Sequence, residues 1–165
     1  MEFRVLTPPS YSVLELHLAA GEEIVAESGA MAWMHGDLDV TTSTRGGVLT
    51  GLKRRLLTGE SFFQNTFRAS GRGGTLALAP AISGDVVSHE LRDGELFLQK
   101  GAYLASGSGV RCDSKWEGLR GLFSAGLFVL RCTGTGPLFF NAYGDVQEVA
   151  VDGDYLVDNG YAVAW

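Results

Sequence analysis

The chain has 165 residues, of which 45% are hydrophobic and 19% charged, with a formal net charge of −6. That apolar share supports one packed domain and excludes a disordered chain. The acidic balance excludes an overall basic footprint for nucleic acid, and 23 Gly against 4 Pro, without a collagen period, predict many tight turns.

In chain order, "MEFRVLTPPSYSVLEL" opens without a basic start followed by an apolar core, so it does not read as a signal peptide. The next stretch, "GEEIVAESGAMAWM" from Gly21, is written twice more. "GELFLQKGAYLA" starts at Gly94 and "GDYLVDNGYAVAW" at Gly153. Each copy opens on a residue-Gly pair: Ala20-Gly21, Asp93-Gly94, Asp152-Gly153. Each reaches a second pair a few residues on: Ser28-Gly29, Lys100-Gly101, Asn159-Gly160. Asp-Gly and Asn-Gly pairs are hairpin signals because the turn needs positive φ. The spacing therefore predicts a tight β-hairpin in each copy.

The similarity continues beyond the hairpin. "GLKRRLLTGESFFQNTF" from Gly51 aligns with "GLRGLFSAGLFVLRCTG" from Gly118, and each runs into a glycine-rich turn and an apolar strand. The chain reads as one repetitive domain, 1–165, with units at roughly 21–90 and 94–150 and a partial third from 153. By this pattern the third unit lacks about fifty residues, and the expected reading is a fragment. "GVLTGLKRRLL" is the best helical stretch, with Val48, Leu52 and Leu56 at helical spacing, weakened by Gly51. Everything else predicts short strands and regular turns, hence an all-β sandwich or barrel. The longest apolar run, Gly121 to Leu130, is too short to span a bilayer as a helix.

Several constellations are candidates for chemistry. His35, Asp37 and Asp39 alternate in "MHGDLDV", which on a strand puts all three on one face, where they form a weak candidate set for a divalent metal. The favoured reading is a solvated strand face with Leu38 and Val40 turned inward. "TGESFF" lacks the second glycine of a nucleophile elbow. "SGRGGT", Ser70 to Thr75, matches no phosphate-loop spacing and reads as a hairpin turn. Cys112 and Cys132 are too few for a disulfide framework and are expected to be ordinary small strand residues, which makes a reducing compartment the default. Lys53, Arg54 and Arg55 lie among leucines, and the equivalent stretch of the second unit carries Lys115, Trp116 and Arg120. These two basic-apolar segments, 48–57 and 115–124, are the candidate binding patch, suited to an anionic membrane surface or a protein partner.

"AGEEIVAESGAMAWM", "GLKRRLLTGESFFQNTF", "GGTLALAP" and "DGELFLQKGAYLAS" resemble the altered inheritance of mitochondria family, member twenty-four, and the resemblance covers roughly Phe3 to Trp165. It implies a fold similar to that of the tryptophan RNA-binding attenuation protein (TRAP). TRAP-like β-sandwich, or double-stranded β-helix, units would then repeat around a pseudo-threefold axis. It also implies self-association, with a trimer as the expected homo-oligomer, and no catalytic residues. The expected function is an uncharacterised, non-catalytic scaffold or interaction protein, cytoplasmic or peripheral to a membrane. No enzyme activity and no cofactor are expected. The alternative is a small-ligand or metal-binding β-barrel, and nucleic-acid binding ranks third.

Overall fold

The structure, a computed structural model, describes residues 1–44, 63–113, 129–158 and 160–165. Nine strands form one largely antiparallel sheet that curls into a half-barrel, and no α-helix occurs among the described residues. The strands are β1 (Glu2–Leu6), β2 (Val13–Leu18), β3 (Glu23–Glu27), β4 (Met31–Thr44), β5 (Phe63–Leu78), β6 (Val86–Gln99), β7 (Tyr103–Gly107), β8 (Val110–Asp113) and β9 (Val129–Asn141). A single 3-10 turn, Lys100–Ala102, separates β6 from β7.

The period-2 pattern explains the burial. In β2, Leu14, Leu16 and Leu18 face the core, while His17 points to solvent. Glu15, also on the outer face, is nearly covered because the Arg4 guanidinium on β1 donates to it at 2.7 Å.

Two parts of the sheet share one pairing pattern. In the first, the long β5 is central: β2 and β3 pair along one edge and β4 along the other. In the second, β9 is central: β6 pairs along one edge, and β7 with β8 along the other. β6 thus does alone what β2 and β3 do together, and β7 with β8 match β4. Even the irregularities recur. The register of β4 against β5 shifts between Met31 and Trp33, and that of β7 against β9 shifts between Tyr103 and Ala105. Counted from Gly29 and Gly101, these are the same positions.

Two expectations are corrected by this pairing. The Ser28-Gly29 turn does not close a hairpin: β3 and β4 both bond to β5, on opposite edges, so the chain crosses over the central strand there. Asp93-Gly94 is no turn either. It is a bulge inside the continuous β6, with Asp93 at φ 54° opposite the Gly134–Thr135 bend of β9. Likewise "SGRGGT" is a mid-strand irregularity of β5: Gly36 pairs Gly74 and Leu38 pairs Ala69, so four residues of β5 bulge against Asp37. A side chain at Gly73 would strike the Leu18 carbonyl, which is why glycine stands at this bend.

The units interlock. β3 of the first pairs β7 of the second, with Val25 opposite Ser106 and Ala26 opposite Ala105. Leu104, Ala105 and Phe139 from the second unit enter the core cluster built on Leu14, Leu16, Ile24, Phe67 and Leu76 of the first. A second cluster gathers Leu98, Tyr103, Leu130, Cys132 and Leu138. Cys112 and Cys132 lie directly opposite each other on β8 and β9, with Cα atoms 4.1 Å apart, and form a disulfide inside this cluster. The expectation of two ordinary cysteines is therefore corrected.

Candidate functional site

The His35, Asp37, Asp39 set does not assemble. Gly36, at φ 95°, and the bulge beside it interrupt the alternation, so the three side chains lose their common face. Asp37 is spent locally: its carboxylate accepts from the Arg72 backbone N–H at 2.9 Å, and its carbonyl accepts from the Ser70 hydroxyl. Asp39 sits opposite Arg68 across the β4–β5 ladder. Among the described residues no group of three or more His, Cys, Asp and Glu is placed to hold a metal ion. Leu38 packs against the core as expected, whereas Val40 faces solvent.

The basic-apolar candidates Lys53, Arg54, Arg55, Lys115, Trp116 and Arg120 lie outside the described residues, as does the "TGESFF" motif up to Phe62. What the structure gives is where the chain leaves and re-enters the sheet. Thr44 at the end of β4 pairs Phe63 at the start of β5, and Asp113 at the end of β8 pairs Arg131 near the start of β9. These are equivalent ends of equivalent strand pairs. The described residues that flank the two segments thus lie at matching strand-pair ends.

A cleft of about 580 Å³ opens at the junction of the units, bordered by Glu22, Arg68, Ser108 and Pro137 among others. Two carboxylates, Glu22 and Glu23, border it, and that of Glu22 is already engaged. The Met1 ammonium and the Ala19 N–H both donate to Glu22, and together, with the ammonium first, they hold its carboxyl below the usual glutamate range.

Sequence reasoning missed an exposed apolar edge. Along Met31–Gly36, β4 bonds to β5 on one side and, among the described residues, to no strand on the other. Met31, Trp33 and Met34 on this stretch are more than two-fifths exposed. Tyr155, Leu156 and Val157 belong to no strand and are exposed too, Leu156 completely. The signal was present in "AMAWM" and "YLVD", whose apolar character predicted strands. An uncovered last hairpin is what the short third unit leads one to expect; what was hidden was the bare edge of β4. No helix among the described residues is long and apolar enough to cross a membrane.

Comparison with known proteins follows the same outline. The model of the family described as mitochondrial biogenesis AIM24 matches residues 3–165. An uncharacterised protein of Streptococcus pyogenes serotype M6 is 29% identical over 175 residues, which takes in 100% of this chain and 70% of the relative. A crystal structure of a Streptococcus pyogenes protein superposes with a TM-score of 0.76 at 28% identity, covering 99% of this chain and 74% of that one.

Proposed function

We propose, from the premise that the chain belongs to the mitochondrial biogenesis AIM24 family, that it is a non-catalytic scaffold. It docks on an anionic membrane surface through segments 48–57 and 115–124 and stays peripheral to it. The observation that carries this reading is the equivalence of the two strand-pair ends, Thr44/Phe63 and Asp113/Arg131, from which the two basic-apolar segments depart. Lys53, Arg54 and Arg55 in one and Lys115 and Arg120 in the other supply positive charge beside leucines and Trp116 in an otherwise acidic molecule. Basic residues near an anionic surface contribute about 1 kcal/mol each, and interleaved apolar side chains add insertion into the headgroup boundary.

A scaffold also needs contacts with itself. The shared topology of the two units, with a third copy begun at Gly153, supports TRAP-like units repeating about a pseudo-threefold axis and a homo-oligomer, with a trimer as the working stoichiometry.

Vesicle flotation tests the lipid reading. Wild type is expected to float with anionic vesicles and not with neutral ones. The triple variant Lys53→Glu, Arg54→Glu, Arg120→Glu should bind roughly a hundredfold more weakly, with an unchanged melting temperature. Equal flotation of wild type and variant, or none by wild type, overturns it. A partner captured by wild type and lost in the variant, without vesicle binding, would redirect the patch to protein.

A further inference from the structure

β8, Val110–Asp113, is the shortest strand among the described residues, and there it pairs with β9 alone. Four ladder positions hold it: Val110 opposite Gly134, Arg111 opposite Thr133, Cys112 opposite Cys132 and Asp113 opposite Arg131. Arg111 and Asp113 face solvent, so only Val110 and Cys112 reach the core. One of these two anchors is covalent, the disulfide to Cys132. A short edge strand with so few buried contacts opens locally once its anchors weaken.

The matching ladder in the other part of the sheet is built differently. β4 runs 14 residues along β5. At the offset from Gly29 that Cys112 has from Gly101, Val40 stands opposite Phe67. A long ladder thus holds β4 without a crosslink, and a crosslink holds the short β8. The difference lies beside one of the two basic-apolar segments, since Asp113 is the last described residue before 115–124.

We propose that the Cys112–Cys132 disulfide is a redox switch on β8. Closed, it fixes Val110–Asp113 to β9; opened by a small-molecule thiol, it lets that strand leave β9 while the rest of the sheet stays folded. Cys132 has no exposed surface, whereas Cys112, on the edge strand, keeps 4%. The Cys112 sulfur is therefore the one attacked. A thiolate RS⁻ bonds to Cys112 Sγ, the Sγ–Sγ bond breaks, and its electron pair leaves on Cys132 as a thiolate. A second RS⁻ attacks the outer sulfur of the mixed disulfide and releases RSSR and the Cys112 thiolate. Two RSH are thereby oxidised to RSSR, the protein disulfide is reduced, and the two protons end on Cys112 and Cys132. The reverse exchange, with RSSR as oxidant, closes the switch. The switch is independent of the membrane reading, but its use rests on it: it sets how firmly the chain leading to Lys115 and Arg120 is held, while the segment of Lys53, Arg54 and Arg55 lies beside a ladder without cysteine.

Hydrogen exchange in the full chain tests this, with glutathione as the thiol. Reduction should speed the β8 amides that bond β9 about tenfold more than it speeds Ile24–Ala26, and should make their exchange insensitive to low urea, the mark of a local opening. Folded wild type should be reduced at a rate that low urea leaves unchanged. The Cys112→Ser/Cys132→Ser variant should match the reduced protein and ignore glutathione. The proposal fails if β8 and Ile24–Ala26 accelerate together, which would make the disulfide a staple of the whole sheet. It fails too if reduction requires global unfolding, or if the reduced chain no longer folds. With the local opening present, equal flotation of oxidised and reduced protein on anionic vesicles would remove the use in docking and leave the switch. Flotation by neither form would sink the membrane reading alone.

Discussion

The Tyr103 hydroxyl donates to the Val25 carbonyl at 3.0 Å, and Tyr103 has no exposed surface. The same hydroxyl lies 2.9 Å from the buried Ser106 hydroxyl. One side chain of the second unit thus ties β3 of the first to β7, at the seam where the units share hydrogen bonds.

Replacing Tyr103 with Phe keeps the ring and removes this tie. A buried Ser106 hydroxyl then loses a partner, which costs about 1–2 kcal/mol. The denaturant midpoint should fall with an unchanged slope. A variant as stable as wild type would mean the seam is held by packing and ladder bonds alone.

At the bend of β9, Gly134 has φ 119°, and a side chain there would strike the Gly109 carbonyl. Both the backbone conformation and the close approach exclude a Cβ. Gly134→Ala should lose about 2 kcal/mol or more, read as a drop in melting temperature. Gly94→Ala, across the ladder and with open space around it, is the control and should be far milder.

Glu22 gives a pH signature. Its carboxyl is held low first by the Met1 ammonium and then by the Ala19 N–H. A lowered folded value means the stabilisation is fully present above the ordinary glutamate pKa of about 4.3 and is lost as pH falls through the lowered value. Urea midpoints measured from pH 6 downward should decline more steeply in wild type than in Glu22→Gln. Parallel curves would show that this ion pair does not form in solution.

The Cys112–Cys132 disulfide closes a loop between residues 20 apart. In the loop-entropy picture, removing it costs about 3 kcal/mol. Unfolded, unreduced protein should resist alkylation, and reductant should lower the melting temperature of wild type but not of Cys112→Ser/Cys132→Ser. Alkylation without reductant would show that the two thiols remain unpaired.

The recurring glycine spacing was readable, although backbone geometry demands it only in places: Gly21, Gly29 and Gly153 have positive φ, whereas Gly94 and Gly101 do not. Strand identity was readable too, from runs such as "VLELHL" and "EIVAE". Pairing was not. A Ser-Gly turn announces a reversal, yet cannot say whether the next strand returns beside β3 or passes over β5, because that depends on a strand some forty residues away. The same gap hid the cysteine pair: Cys112 meets Cys132 only once β8 and β9 are in register. It also hid the break in the His35, Asp37, Asp39 alternation, since the bulge is set by the glycines of β5 opposite. Of the patch, the sequence supplied the residues, and the structure supplied the equivalence of the places they leave from.

The interleaving of β3 with β7 has a consequence for how the molecule comes apart. Each central strand is gripped along both edges, and the seam strands bond to neighbours in the other unit. Phe139 and Leu104 sit in the core cluster of the unit that does not encode them. Strand pairing and core packing therefore both cross between the two parts of the sheet. Amide protons of Ile24–Ala26 and of Ala105–Gly107 should exchange through the same global opening, so the protein melts as one cooperative foldon and not as two successive repeats.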